Sequence, residues 1–218
     1  GDNTIIAWSR EGNIRTALNL GVDTITLCDR YGNETELATR DGVLDILLTP
    51  EPVYIIGGNF ENAKEAKSEF VVSQTEVSTV KNDTASIYGR VPAGNWTVEA
   101  DCPDNIKLSA EPKIAADDSF KIDVTSGTDG IEGEFITVNI KDNTSGRIVY
   151  TQRTEVIYSE PIEVTPSVKY YENGHWQLSL KLVNRKNSGN VSGRIVMTQP
   201  EGLILSKAES EIKNLLPG

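Results

Sequence analysis

The 218-residue chain has a single histidine and only two cysteines. That scarcity argues against a His/Cys zinc site, a Cys–His nucleophile pair and a disulfide scaffold. Positive charge is also short, with 21 Lys and Arg against 32 Asp and Glu and a net charge of −11. A nucleic-acid surface needs a basic stripe to displace counterions, so the balance excludes that partner class and adhesion to anionic membranes alike. No run approaches the roughly 20 apolar residues that span a bilayer, so no membrane insertion is expected. The start of the chain has no basic n-region followed by an apolar h-region, so no signal peptide is expected. What is present is 38% hydrophobic residues, enough for packed cores.

Those apolar residues come in short runs separated by Gly, Asn, Asp and Pro at intervals of roughly 8–12 residues, the punctuation of an all-β protein. Phe120, Ile122 and Val124 alternate with Lys121 and Asp123. Ile136, Val138 and Ile140 alternate with Thr137 and Asn139, and Leu178, Leu180 and Leu182 with Ser179 and Lys181. A period of two puts one set on a core face and the other in water, the mark of a half-buried antiparallel strand. Asp29–Asn33, Asp41-Gly42, Asp142–Gly146 and Asn173-Gly174 supply the turns between such strands.

The segment Asn59–Lys67 is rich in helix formers and predicts a short helical linker over 59–69. Before it, prolines at 50 and 52 in the run Thr49–Gly58 suit an edge strand. The chain then divides into a β-domain over 1–58, a β-sandwich over 70–160 and a second sandwich over 161–218. A faint internal repeat relates Ile87–Trp96 to Val191–Gly202, each a strand entering a Pro-x-Gly turn. The first copy runs on to Tyr158 while the second ends soon after its turn, so the second sandwich is expected to be truncated.

Candidate chemistry is sparse. Asp117-Asp118, Glu132/Glu134 and Glu209/Glu211 are neighbours in sequence, whereas glycosidase chemistry sets two carboxyls across a substrate from different strands. No catalytic residue is assigned. The oxygen-rich loops Asp101–Asp104 and Asp123–Gly130 hold ligand types for structural calcium, which stays an open alternative there; neither matches a calcium-loop spacing, so no metal ligand or cofactor is assigned. His175 has no partner of its kind, and no G-x-S-x-G elbow exists for a serine nucleophile. Cys28 and Cys102 fall in different units and are expected to be free. Sequons at Asn33, Asn82, Asn95, Asn143 and Asn190 mark surface loops.

Aromatics are the remaining lead. Flat exposed rings stack on pyranose faces, and Tyr170, Tyr171 and Trp176 gather around one hairpin while Trp96 follows the first Pro-x-Gly turn. The candidate carbohydrate contacts are therefore Tyr171, Trp176 and Trp96, each weighed against service as a core aromatic.

The ordered series Ile5–Ser9, Ala17–Leu20, Thr24–Asn33, Asp41–Leu48 and Thr49–Ile55 resembles the β-domain that follows the catalytic barrel of many bacterial glycoside hydrolases. Gly89, Pro92, Gly94 and Trp96 resemble a pattern of the immunoglobulin- or fibronectin-like sandwiches appended to such enzymes. The second copy departs from it with Leu203 at the Trp position, and Asn214–Gly218 is similar to the turn before the penultimate strands of these modules. The resemblance implies a non-catalytic region of a polysaccharide-degrading enzyme whose catalytic acids lie in the barrel, outside these residues. It further implies the barrel of the same parent as partner, contact with polysaccharide, and export to the surface or surroundings of a bacterium. Two rivals are a carbohydrate-binding module in its own right and a surface adhesin or scaffold stalk of sandwich repeats.

Overall fold

The computed structural model describes residues 3–127, 133–171, 174–187, 189–198, 201 and 204–218. Glu132, Asn173, Pro200, Leu203 and the end of the Asp123–Gly130 loop lie outside the described residues. Within them the protein is all-β, in antiparallel sheets with one parallel pair and a single 3-10 turn.

Seven strands build the first unit: β1 (Thr4–Ala7), β2 (Ile14–Asn19), β3 (Thr24–Cys28), β4 (Glu34–Ala38), β5 (Val43–Leu48), β6 (Val53–Ile56) and β7 (Lys64–Ala66). They form two sheets, β1-β6-β3-β4 and β5-β2-β7. Leu20, Ile25, Leu27, Leu37, Leu44, Ile46 and Ile55 make the core between them. The β3–β4 hairpin closes as the sequence predicts. The Asp29 carboxylate accepts the N–H groups of Tyr31 (2.8 Å) and Asn33 (2.9 Å), and Gly32 takes a φ of 85°. Asp41 and Gly42 both take positive φ between the mutually bonded Arg40 and Val43, the two-residue turn that matches strand twist.

Two expectations fail here. Val53–Ile56 is an interior strand, between β1 and β3, because Pro50 and Pro52 precede it and leave its N–H groups free to pair. The 59–69 segment is not helical. It makes a 3-10 turn at Phe60–Asn62 and then β7, which pairs with β2. Asn59 gives that turn no side-chain cap, and a nine-residue helix is marginal by itself. Pairing with the free edge of β2 satisfies the backbone while Phe60 and Ala63 pack on the core. The first unit therefore runs to Ala66.

The second unit holds β8 (Val71–Val72), β9 (Glu76–Thr79), β10 (Thr84–Arg90), β11 (Trp96–Asp101), β12 (Ile106–Leu108), β13 (Lys113–Ile114), β14 (Ser119–Ser126), β15 (Phe135–Asp142) and β16 (Ile148–Tyr158). Its sheets are β12-β14-β10-β8, with β13 also on β14, and β11-β15-β16-β9. The incoming strand thus splits, β8 joining one sheet and β9 lying parallel to β16 in the other. That order is the immunoglobulin arrangement of two facing sheets. Two of the three alternating sets read from sequence face inward, with Phe120, Ile122, Val124, Ile136, Val138 and Ile140 all buried, whereas Leu178 of the third is 46% exposed.

The two units pack together through β16, which lies against β4 and β5. Ile148 reaches the first core and Ala38 the second. Polar groups cross the same junction. The Arg15 guanidinium donates to the Val72 carbonyl, Asp45 accepts the Glu69 N–H at 2.9 Å, and Arg153 meets Asp29 at 3.4 Å.

After Tyr158 come two ribbons, β17 (Ile162–Tyr170) with β18 (Trp176–Asn184), and β19 (Val191–Val196) with β20 (Glu209–Leu215). Over 161–218 the described residues form these two ribbons in place of stacked sheets, and among the described residues every buried hydrophobic one lies at or before Val156. The ribbons meet at Asn184, whose side-chain amide donates to the carbonyls of Gly189 (3.0 Å) and Leu215 (2.9 Å). Asn187 ties them to the sandwich by donating to the Thr84 carbonyl at 3.0 Å.

Candidate functional site

The β17–β18 ribbon carries the exposed aromatics. Tyr170 and Trp176 are direct cross-strand partners at its free end, with ring centroids 4.7 Å apart and planes at 51°. Tyr171 is one residue on and so belongs to the other side of the ribbon, where its hydroxyl donates to Gln177 at 2.6 Å and the Lys169 ammonium sits 5.0 Å from its ring. The two sequence candidates here, Tyr171 and Trp176, therefore do not share a face. Trp176 instead pairs with Tyr170, which the sequence placed in the group without singling it out.

Trp96 lies elsewhere, on the sandwich. Its ring meets Phe70 edge-on, centroids 5.2 Å apart, and its indole N–H donates to the Pro92 carbonyl at 2.8 Å. A Cβ on Gly94 would fall 2.4 Å from that indole nitrogen. The Pro-x-Gly-x-Trp pattern is thus a packing device: proline supplies the acceptor, glycine the space and tryptophan the lid. Trp96→Phe is expected to cost about 1 kcal/mol of stability, the worth of one hydrogen bond. Chemical denaturation checks this, and retention on insoluble glycans should be unchanged.

The acidic neighbours resolve into turns and surface pairs. Asp117 accepts from the Ser119 hydroxyl at 2.6 Å and its N–H at 3.2 Å, which holds its carboxyl below the ordinary value. Glu209 and Glu211 pair with Arg194 (3.3 Å) and Lys213 (3.0 Å) in solvent. Asp101 accepts from Asn139 at 3.1 Å. Among the described residues no three His, Cys, Asp or Glu side chains come together to hold a metal ion, and no helix is long and apolar enough to cross a membrane. Cys28 and Cys102 are free.

Two clusters escaped sequence reasoning. At one end of the sandwich the Tyr158 hydroxyl donates to Glu134 at 2.5 Å, and the Asn105 amide donates to both Tyr158 (2.7 Å) and Glu134 (3.1 Å). Burial, with the Glu134 carboxylate beside it, pushes the Tyr158 phenol up to about 12. Nothing in the spacing of residues 105, 134 and 158 links them before folding. The second cluster is on the first unit. Ile6, Trp8 and Ile14 are each about half exposed around the corner where Ser9 bonds the Thr49 carbonyl and Ile14 pairs with Leu48. The alternation of β1 held a weak signal, since Ile5 and Ile6 cannot both face one core. No family model matches this chain, and no curated protein is significantly similar to it.

Proposed function

We propose that this chain is a non-catalytic accessory region of an exported bacterial polysaccharide-degrading glycoside hydrolase, and that its first unit packs on the catalytic barrel of the same parent. The observation that carries this reading is that Ile6, Trp8 and Ile14 are each about half exposed on the first unit. Ile6 and Trp8 belong to the ordered series of motifs that resembles the post-barrel β-domain. A tryptophan and two isoleucines left in water at the start of such a domain are the anchors expected of a covered interface. Burial of β16 against β4 and β5 supports the same role, because it makes the sandwich a spacer held by the first unit.

The test uses the parent enzyme carrying Trp8→Asp with Ile14→Asp. The expected result is a barrel melting several degrees lower, while the isolated 218-residue chain with the same substitutions melts within about 2 °C of its wild type. An unchanged parent would overturn barrel packing, and turnover of aryl-glycosides by the isolated chain would overturn the non-catalytic role. A second reading, polysaccharide contact, is favoured by the exposed Tyr170–Trp176 pair. On that reading Trp176→Ala abolishes retention on an insoluble glycan.

A further inference from the structure

The β17–β18 ribbon is apolar along one whole face. Its register sets Val164 opposite Leu182, Pro166 opposite Leu180, Val168 opposite Leu178 and Tyr170 opposite Trp176, four successive same-face pairs without a charge. The opposite face carries Glu163, Lys169 and Lys181 among serine, threonine and glutamine. The apolar face is open to solvent, with Val168 62% and Trp176 65% exposed. Two-stranded ribbons are marginal in water by themselves, and a long uncharged stripe is the face that a sheet stacks on another.

We propose that a second copy of this chain covers that face, the two ribbons stacking about a two-fold axis into a four-stranded sandwich. Shape supports this occupant. The Tyr170–Trp176 pair at the free end is bulkier than the three aliphatic pairs behind it, Val168–Leu178, Pro166–Leu180 and Val164–Leu182. A two-fold axis lying across the strands brings each aromatic end over the partner's small end, which keeps the sheet spacing near 10 Å throughout. A partner with a uniform face would rest on the aromatic pair and leave a gap over the aliphatic ones. Charge supports it as well. Residues 161–218 hold seven of the 21 Lys and Arg but only five of the 32 Asp and Glu, so they are net +2 while residues 1–160 are net −13. Contact through the ribbons joins the two copies where repulsion is least and holds the acidic bodies apart. The area is adequate for a reversible dimer. Nine-residue strands span about 30 Å, and a two-stranded face that long gives roughly 500 Å² per copy, near the lower bound for specific association.

Sedimentation velocity of the intact chain from about 1 to 200 µM tests the proposal, with dimer expected to dominate at the upper end. Val168→Lys and Leu178→Lys should each weaken the dimer at least tenfold, whereas Thr165→Lys and Ser179→Lys on the opposite face should leave it intact. The axis passes level with Ser167 and Ser179, so Leu178 of one copy faces Leu180 of the other. In a Cys28→Ser, Cys102→Ala background, a Leu178→Cys chain mixed with a Leu180→Cys chain should therefore cross-link between copies, and a Ser179→Cys chain mixed with either should not. That arm stands even if a lysine variant disturbs the ribbon. A wild-type monomer at about 200 µM, or a dimer indifferent to Val168→Lys, overturns the proposal. A monomer retained on insoluble glycan through Trp176 would give the face to polysaccharide and overturn it too.

Discussion

Replacing Gly89 with alanine is expected to cost the sandwich about 3 kcal/mol and to lower its melting temperature by roughly 6–12 °C. Gly89 lies in β10 opposite Phe120 on one side and Val72 on the other. A Cβ there would fall 2.1 Å from the Phe120 Cζ, 2.5 Å from its Cε1 and 2.5 Å from the Val71 carbonyl oxygen. The oxygen cannot retreat without breaking the β8–β10 ladder, and the buried Phe120 ring has no free space to enter. The internal repeat supplies the control. Gly193 occupies the matching place in the second copy, and a Cβ there meets nothing within 4 Å. Gly193→Ala should be neutral or slightly stabilising, since alanine has less backbone freedom to lose in the unfolded chain. Calorimetry on both variants decides, and equal effects would mean the two sites are packed alike.

Asp45→Ala should cost about 2–4 kcal/mol at the junction of the first two units. Asp45 is 3% exposed, and its carboxylate accepts the Glu69 N–H at 2.9 Å, so it fastens the segment that leads into β8. Alanine would strand the Glu69 N–H. The pH dependence separates charge from hydrogen bonding. Burial raises the Asp45 pKa, against the opposing pull of Ser68, Arg40 and the Phe70 N–H. The folded state then holds its proton more tightly than the unfolded chain does. The group's contribution is largest below its unfolded pKa and is lost as pH rises through the folded one. Asp45→Asn keeps one acceptor oxygen and has no proton to lose. The variant should therefore compare better with wild type at pH 7 than at pH 4 in urea titrations. A constant difference between the two pH values would show that burial of the carboxylate carries no charge penalty.

The sandwich was legible in sequence because its strands have one wet face and one dry one. Phe120–Val124 and Ile136–Ile140 alternate cleanly, and Asp29–Asn33 and Asp41-Gly42 hold the residues that tight turns demand. The 59–69 segment misled because helix propensity is worth tenths of a kcal/mol per residue, while the unpaired edge of β2 offered a ladder no local pattern records. The prolines at 50 and 52 misled for a related reason: they restrict only their own positions, and Val53–Ile56 beyond them pairs on both sides. The aromatics were legible as a group and not as a geometry. Assigning Tyr170 and not Tyr171 to Trp176 requires the register of β17 on β18, which the turn between them sets.

The split first strand of the sandwich also has a mechanical consequence. The chain enters β9 at Glu76 and leaves β16 at Tyr158, and the two strands run parallel with Glu76 opposite Glu155 and Thr79 opposite Tyr158. Incoming and outgoing chain therefore attach at opposite ends of one short ladder. Tension along the polypeptide loads those rungs in shear, all together, instead of peeling them one by one from an end. Pulled by the chain on either side of it, the sandwich would resist extension at this seam before its own core opened.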